Sequence, residues 1–235
     1  MIFIGSEALL IRALRSAIGS ELTVDLVCVP DGAALPTLEA LGVPAMVTQN
    51  PNADADEILA ECTDGIGWSI NNRWILRRPL LDSPVRFYNI HNGPLPAYRG
   101  LPESAIIDAI LDGAPRYGAT LHEVDAGIDT GRVIDVEEFP IGDADGFAEV
   151  MMSGLRACHT LFERNAVRIA AGMAEPSPAA HTARRRNERD GTPSGYHGHY
   201  DAASLAARSD EPGFGRATAF GVFAPHYPEL AGALT

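Results

Sequence analysis

From Ile2 to Ile70 the chain alternates short apolar runs with stretches whose apolar residues return at helical spacing, and no other feature constrains its fold so strongly. Residues 2–4, 24–29, 45–47 and 65–70 read as strands. Between them lie a run with Leu9, Leu10, Ala13, Leu14 and Ala17 on one helical face, N-capped by Ser6, a helical stretch at 38–41 and another at 55–62. Strands and helices alternating in this way bury both faces of their strands in a mostly parallel, doubly wound sheet flanked by helices, so the expected fold class is α/β. The first turn, Gly5-Ser6-Glu7, lacks the further glycines that a pyrophosphate needs, so a dinucleotide fingerprint is absent.

The same reading continues downstream. Residues 85–90 and 119–122 read as strands, with a helix opening at Pro102-Glu103-Ser104 and closing at Asp112-Gly113 between them. A strand follows at 133–139, and then one long amphipathic helix from Asp145 to about Met173, with Met151 and Met152 as core filler and His159 on its polar side. From Glu175 the character changes: Pro176, Pro178 and small residues suggest a linker, followed by a charged stretch at 183–191. The expected division is therefore a domain over 1–174 and a linker with a small C-terminal extension over 175–235, in which 222–227 forms a last strand or a pocket edge.

Chemistry concentrates between Phe87 and Val133. In a strand, Asn89 and His91 project to the same side, and Asn92-Gly93-Pro94 then ends it, with Pro94 and Pro96 stiffening an extended rim. The polar loop 123–131 carries Glu123, Asp125 and Asp129. An amide and a protonated imidazole suit an oxygen that becomes negative in a tetrahedral intermediate, and a carboxylate keeps such an imidazole charged. With no Ser or Cys nucleophile in the motif, direct acyl or formyl transfer to an amine is indicated.

Asn89-Ile90-His91, the rim Leu95-Pro96-Ala97-Tyr98-Arg99-Gly100, Gly118-Ala119-Thr120 with His122, and Asp125 through Asp129-Thr130-Gly131 together resemble the signature of the folate-dependent formyltransferases. The resemblance covers roughly residues 1–173. It implies a Rossmann-like, mostly parallel sheet, 10-formyltetrahydrofolate as the formyl donor, Asn89 and His91 as oxyanion stabilisers, and Asp129 as the carboxylate that supports His91 and moves protons. It also implies that Arg73, Trp74, Ile75 and Leu76 cradle the pterin, largely through backbone groups, with Asp125, Ala126 and Gly127 as the opposite wall. Trp74 and Ile75 can equally be read as packing under the sheet. On the acceptor side stand Asn92, Gly93, Tyr98 and Arg99; Arg99 either meets an anionic acceptor or pairs with Glu103, the second being favoured.

Composition bounds the partners. All 18 basic residues are Arg, against 31 acidic residues, giving a net charge of −13, which disfavours a broad nucleic-acid surface. The segment after Gly191 is also too short for the barrel expected of a methionyl-tRNA formyltransferase. The expected acceptor is therefore a small-molecule amine, either an amino-sugar nucleotide or a hydroxyornithine-like natural-product amine. Homodimerisation is left open. The distant Cys28, Cys62 and Cys158 read as reduced thiols, and with no leader or membrane-spanning run the expected location is cytoplasmic.

Other readings compete with this one. A metal site at His91, His122, Asp125 and Asp129 lacks a closely spaced His pair, and Tyr196-His197-Gly198-His199-Tyr200 reads as an ordered or partner-contacting loop before a metal or stacking site, so no metal is expected. A hydrolase that releases formate and a non-catalytic folate-binding module are the rival functions.

Overall fold

The computed structural model describes residues 1–190 and 195–232. Its strands are β1 (Ile2–Gly5), β2 (Leu26–Val29), β3 (Ala45–Val47), β4 (Ile66–Ile70), β5 (Arg86–His91), β6 (Arg99–Gly100), β7 (Arg116–Glu123), β8 (Val133–Pro140) and β9 (Tyr196–His197). The helices are α1 (Glu7–Gly19), α2 (Leu35–Ala40), α3 (Ala55–Glu61), α4 (Pro102–Leu111), α5 (Phe147–Ala170), α6 (Pro178–Asp190), α7 (Ala202–Ala206), α8 (Phe214–Ala217) and α9 (Pro228–Gly232).

Seven strands form the main sheet in the order β3-β2-β1-β4-β5-β7-β8, and a second sheet joins β6 to β9. Pairs from β3 through β5 are parallel, as the alternation requires, whereas β5-β7 and β7-β8 are antiparallel. The expected Rossmann-like, mostly parallel α/β fold is thus the one formed.

Strand alternation sorts the core into two faces. Phe3, Trp68, Ile70, Tyr88, Ile90, Ala119 and Leu121 are buried with Leu10 and Leu14 of α1 and with Leu161 and Phe162 of α5. Ile2, Ile4, Cys28 and Phe87 point the other way, packing with Ile58 of α3 and with Leu76 and Leu80. Asn89 and His91 follow Phe87 at intervals of two, so they share this second face.

Three local expectations are corrected. The rim after β5 is a turn over 95–97 rather than an extended run, and it curls back until the Tyr98 amide donates to the Pro94 carbonyl at 3.2 Å. The stretch read as a linker becomes helical at Pro178, where proline's fixed φ and missing N–H suit the first turn. Ala180 and Ala183 are buried, and Arg186 forms a bidentate pair with Glu138 of β8. Finally, Gly221–His226 is a 3-10 helix.

The described residues beyond α6 do not stand apart. Leu205, Ala217, Phe220 and Leu230 share a buried cluster with Ile106, Ile107 and Ile110 of α4 and with Phe147 and Val150 of α5. The Phe147 ring lies 4.7 Å from Phe220 and 5.6 Å from Tyr227. Among the described residues, no helix is long and apolar enough to cross a membrane.

Candidate active site

Four polar side chains meet where β5 ends. Asn89 sits opposite His122 in the antiparallel β5-β7 register, which brings its Nδ2 to 3.2 Å from His122 Nε2. Asp129, on the loop between β7 and β8, places Oδ1 3.5 Å from His122 Nε2 and Oδ2 3.6 Å from His91 Nδ1. The Gly100 amide donates to the same Oδ2 at 2.9 Å. Asp129 holds φ at +52°, a left-handed conformation that Asp tolerates better than most residues.

Ring orientation follows from the fixed acceptors. His91 Nε2 lies 2.6 Å from the Tyr98 carbonyl, which only accepts, so Nε2 carries the hydrogen and Nδ1 is the atom turned towards Asp129. By the same reasoning His122 Nδ1 donates to the Glu123 carbonyl at 2.8 Å. Nε2 of a neutral His122 then accepts one Asn89 amide hydrogen, and the other is directed away from that ring.

Neighbouring residues of the signature build this geometry. A Cβ on Gly93 would stand 2.6 Å from the Tyr98 oxygen and 2.8 Å from His91 Cδ2, so only glycine leaves room for the imidazole to reach its carbonyl. Thr120 is fully buried and clamps the turn: its hydroxyl donates to the Gly93 carbonyl at 2.8 Å and accepts from the Leu95 amide at 3.1 Å. Tyr117 adds a 2.9 Å hydrogen bond to the Asn92 carbonyl. Asp125 Oδ1 accepts from the Gly127 amide at 3.0 Å and from Thr130 Oγ1 at 2.6 Å, which folds the loop that presents Asp129.

Electrostatics correct the expectation of a resting charged imidazole. Burial lowers the His91 pKa below its ordinary 6.5, outweighing the opposite pull of Asp129 and of the Tyr98 carbonyl. Burial alone would raise the Asp129 carboxyl. A hydrogen bond from His122 Nε2 when that ring carries its second hydrogen, the His91 charge and the Gly100 amide instead bring it down to about 2. Near neutral pH the cluster therefore holds an anionic Asp129 facing a neutral His91.

The remaining sequence candidates fall into two groups. Arg73 to Leu76 form the loop after β4, beside the end of β5. Arg73 stacks over the Trp74 ring at 5.4 Å, Trp74 Nε1 donates to the Gln49 carbonyl at 3.1 Å, and Leu76 is buried. Asn52 holds this loop through the Ile75 carbonyl at 3.0 Å and the Arg77 amide at 2.7 Å. Ile75 on this loop and Ile128 on the Asp129 loop remain 45% and 38% exposed, while Ala126 and Gly127 are exposed beside Ile128.

On the acceptor side, Asn92 turns inward instead: it is buried, with Nδ2 3.4 Å from Met151 Sδ. Tyr98 contributes its carbonyl to His91, and its hydroxyl donates to Asp112 at 3.3 Å. Arg99 lies in β6 and makes no ion pair with Glu103 among the described residues, because pairing at that spacing needs a helical surface and the helix begins only at Pro102. Its Nε is buried without a partner among the described residues.

Of the residues in the alternative metal reading, Asp125 is turned to its own loop, apart from His91, His122 and Asp129. Among the described residues the group with ligand atoms close together is Asp25, Cys62 and Asp64. The Met1 ammonium already lies 2.7 Å from Asp25 and 3.1 Å from Asp64. His122 stands in the signature with a role only in the alternative metal reading; its position opposite Asn89 emerges only once the β5-β7 register is known.

The chain is similar to the methionyl-tRNA formyltransferase of Clavibacter michiganensis subsp. michiganensis, at 31% identity over 141 residues, covering 60% of this chain and 46% of that protein. It thus spans about half the length of the first curated relatives it matches. Its fold is similar to that of glycinamide ribonucleotide transformylase 1 from Symbiobacterium toebii, with a TM-score of 0.65 and 25% identity, covering 73% of this chain and 87% of that one. It is likewise similar to the N-formyltransferase from Helicobacter canadensis, in complex with folinic acid and dTDP-3-aminofucose, with a TM-score of 0.63 and 21% identity over 84% of this chain and 70% of that one. Residues 73–165, which hold Asn89, His91, His122 and Asp129, match the sequence model described as "Formyl transferase".

Proposed function

We propose that this chain is an N-formyltransferase that carries a formyl group from 10-formyltetrahydrofolate directly to the amine of a small molecule. The observation that carries this reading is the pairing of His91 Nδ1 with Asp129 Oδ2 at 3.6 Å, next to the Asn89 amide. Neutral His91 and ionised Asp129 both present acceptors across a gap too long for a direct hydrogen bond, which suits a molecule that brings N–H donors, as an attacking amine does.

The chemistry follows from those groups. The amine nitrogen attacks the formyl carbon, and the free Asn89 N–H donates to the oxygen as it becomes negative. His91 Nδ1 takes the proton released by the amine, and Asp129 stabilises the imidazolium as it forms. Collapse of the tetrahedral intermediate breaks the bond to the donor nitrogen, which recovers a proton from His91. Ile75 and Ile128 offer exposed apolar contacts for a flat heteroaromatic donor between the two loops. The net charge of −13 favours a small acceptor over a nucleic acid, and the amine of a nucleotide-linked sugar or a hydroxyornithine-like natural-product amine fits the class.

The test is incubation with 10-formyltetrahydrofolate and a panel of such amines, following tetrahydrofolate release and the formylated product. A formylated amine supports the proposal. Formate without any formylated amine identifies a hydrolase, and donor binding without turnover identifies a folate-binding module; either result overturns it.

A further inference from the structure

His197 lies far along the chain from the four clustered residues, yet its strand is bonded to the backbone that aligns two of them. Arg99 donates its amide to the Gly195 carbonyl at 2.9 Å, Leu101 donates to the His197 carbonyl at 3.2 Å, and the Gly195 amide donates to the Pro96 carbonyl at 3.2 Å. Successive amides of an extended chain point to opposite sides, so the Gly100 amide between Arg99 and Leu101 faces away from β9 and reaches Asp129. Gly100 holds φ at +103°, and a Cβ there would collide with the His197 carbonyl oxygen. The glycine both permits the turn and lets β9 close onto β6.

The His197 side chain reinforces the same contact. Its ring stacks on Tyr98 at 5.1 Å and 27°, directly beside the carbonyl that fixes His91. Nε2 donates to the Ala97 carbonyl at 3.1 Å, and Nδ1 bonds Asp108 of α4. Asp108 is itself held by the Tyr200 hydroxyl at 2.6 Å and by Arg208. A second brace comes from α6, where Asn187 Nδ2 donates to the Leu95 carbonyl at 3.3 Å.

We propose that His197 is a positioning residue for formyl transfer: through β9 it fixes the Tyr98 carbonyl and the Gly100 amide, and through them His91 and Asp129. This rests on the reading of the site as a formyl-transfer centre. It gives the C-terminal extension a share in catalysis without contact with the reacting atoms.

Two variants of the full chain test it. His197→Ala removes the stack and both ring contacts. Gly195→Ala keeps the histidine but places a methyl group 2.5 Å from the Ala97 oxygen, which pushes β9 off the turn. In each folded variant, kcat should fall by about 10²-fold while KM for 10-formyltetrahydrofolate changes less than about two-fold, as misalignment without lost binding requires. Hydrogen exchange at the Gly100 amide should accelerate together with that loss.

Wild-type kcat and unchanged Gly100 exchange in a folded variant would overturn the proposal. So would lost turnover with unchanged exchange, because the route through β6 would then be wrong. If His197→Ala fails to fold, Gly195→Ala decides. If the wild-type chain transfers no formyl group, the functional reading fails separately; exchange at Gly100 and the His91 ring NMR signals still report whether β9 holds the loop, and unchanged signals in both variants overturn the positioning role.

Discussion

His91 donates its Nε2 hydrogen to the Tyr98 carbonyl at 2.6 Å, and this single bond decides which ring nitrogen is free for chemistry. With Nε2 committed, Nδ1 is the proton acceptor, and it faces Asp129. His91→Ala should therefore lower kcat by about 10²- to 10⁴-fold, the range of a lost general base, while the far-ultraviolet circular dichroism spectrum stays that of the wild type. Formyl transfer within a few-fold of wild type would remove His91 from the mechanism.

The pH response should be one-sided on the acid limb. Burial lowers the His91 pKa in the folded chain, so kcat is expected to rise through an apparent pKa below 6.5 and to be level at neutral pH. The same shift acts on stability: the unfolded chain binds this proton more readily, so stability falls as pH drops below 6.5. Asp129 acts at lower pH. Its folded pKa of about 2, against 3.8, supplies stability that is full above 3.8 and lost as pH falls towards 2, on the order of 2 kcal/mol. Urea titrations across this range, repeated on His91→Ala and Asp129→Asn, measure both contributions.

His122 is expected to act through Asn89. His122→Leu removes the acceptor that orients the amide, so kcat should drop by about 10²-fold with little change in KM for the donor, as for a lost oxyanion donor. A rise in KM at constant kcat would instead make His122 a donor-binding residue.

Thr120→Val keeps the side-chain shape but leaves the Gly93 carbonyl and the Leu95 amide without their buried partner. Two such orphans should cost roughly 2–4 kcal/mol, read as a lower urea midpoint. An unchanged midpoint would mean that the turn repacks around the loss.

Much of this architecture was legible in the residues. The alternation over Ile2 to Ile70 specified the parallel half of the sheet, and the two-residue interval between Asn89 and His91 put them on one face. What escaped depends on distant partners. Pro94 and Pro96 argued for an extended rim, but Thr120 and Tyr117, on a strand 25 to 27 residues away, hold it as a turn. Pro176, Pro178 and the small residues after them read as a linker because α6 is stabilised by tertiary contacts, such as Arg186 on Glu138, that no local pattern contains. The charged state expected for His91 failed for the same reason: its burial is a property of the folded sheet, and it outweighs the nearby carboxylate. Asn92, expected at the acceptor rim, turns inward because Gly154 on α5 leaves space for its amide.

The most direct measurement is single-turnover mixing of the full chain and its Asp129→Asn variant with 10-formyltetrahydrofolate labelled at the formyl carbon, in the presence of the amine panel, with carbon-13 NMR of the products. The expected result is a labelled formamide from the wild type and a rate lower by at least about 10²-fold in the variant. Labelled formate in place of formamide, or equal rates from the two proteins, would contradict direct transfer at the Asn89, His91 and Asp129 centre.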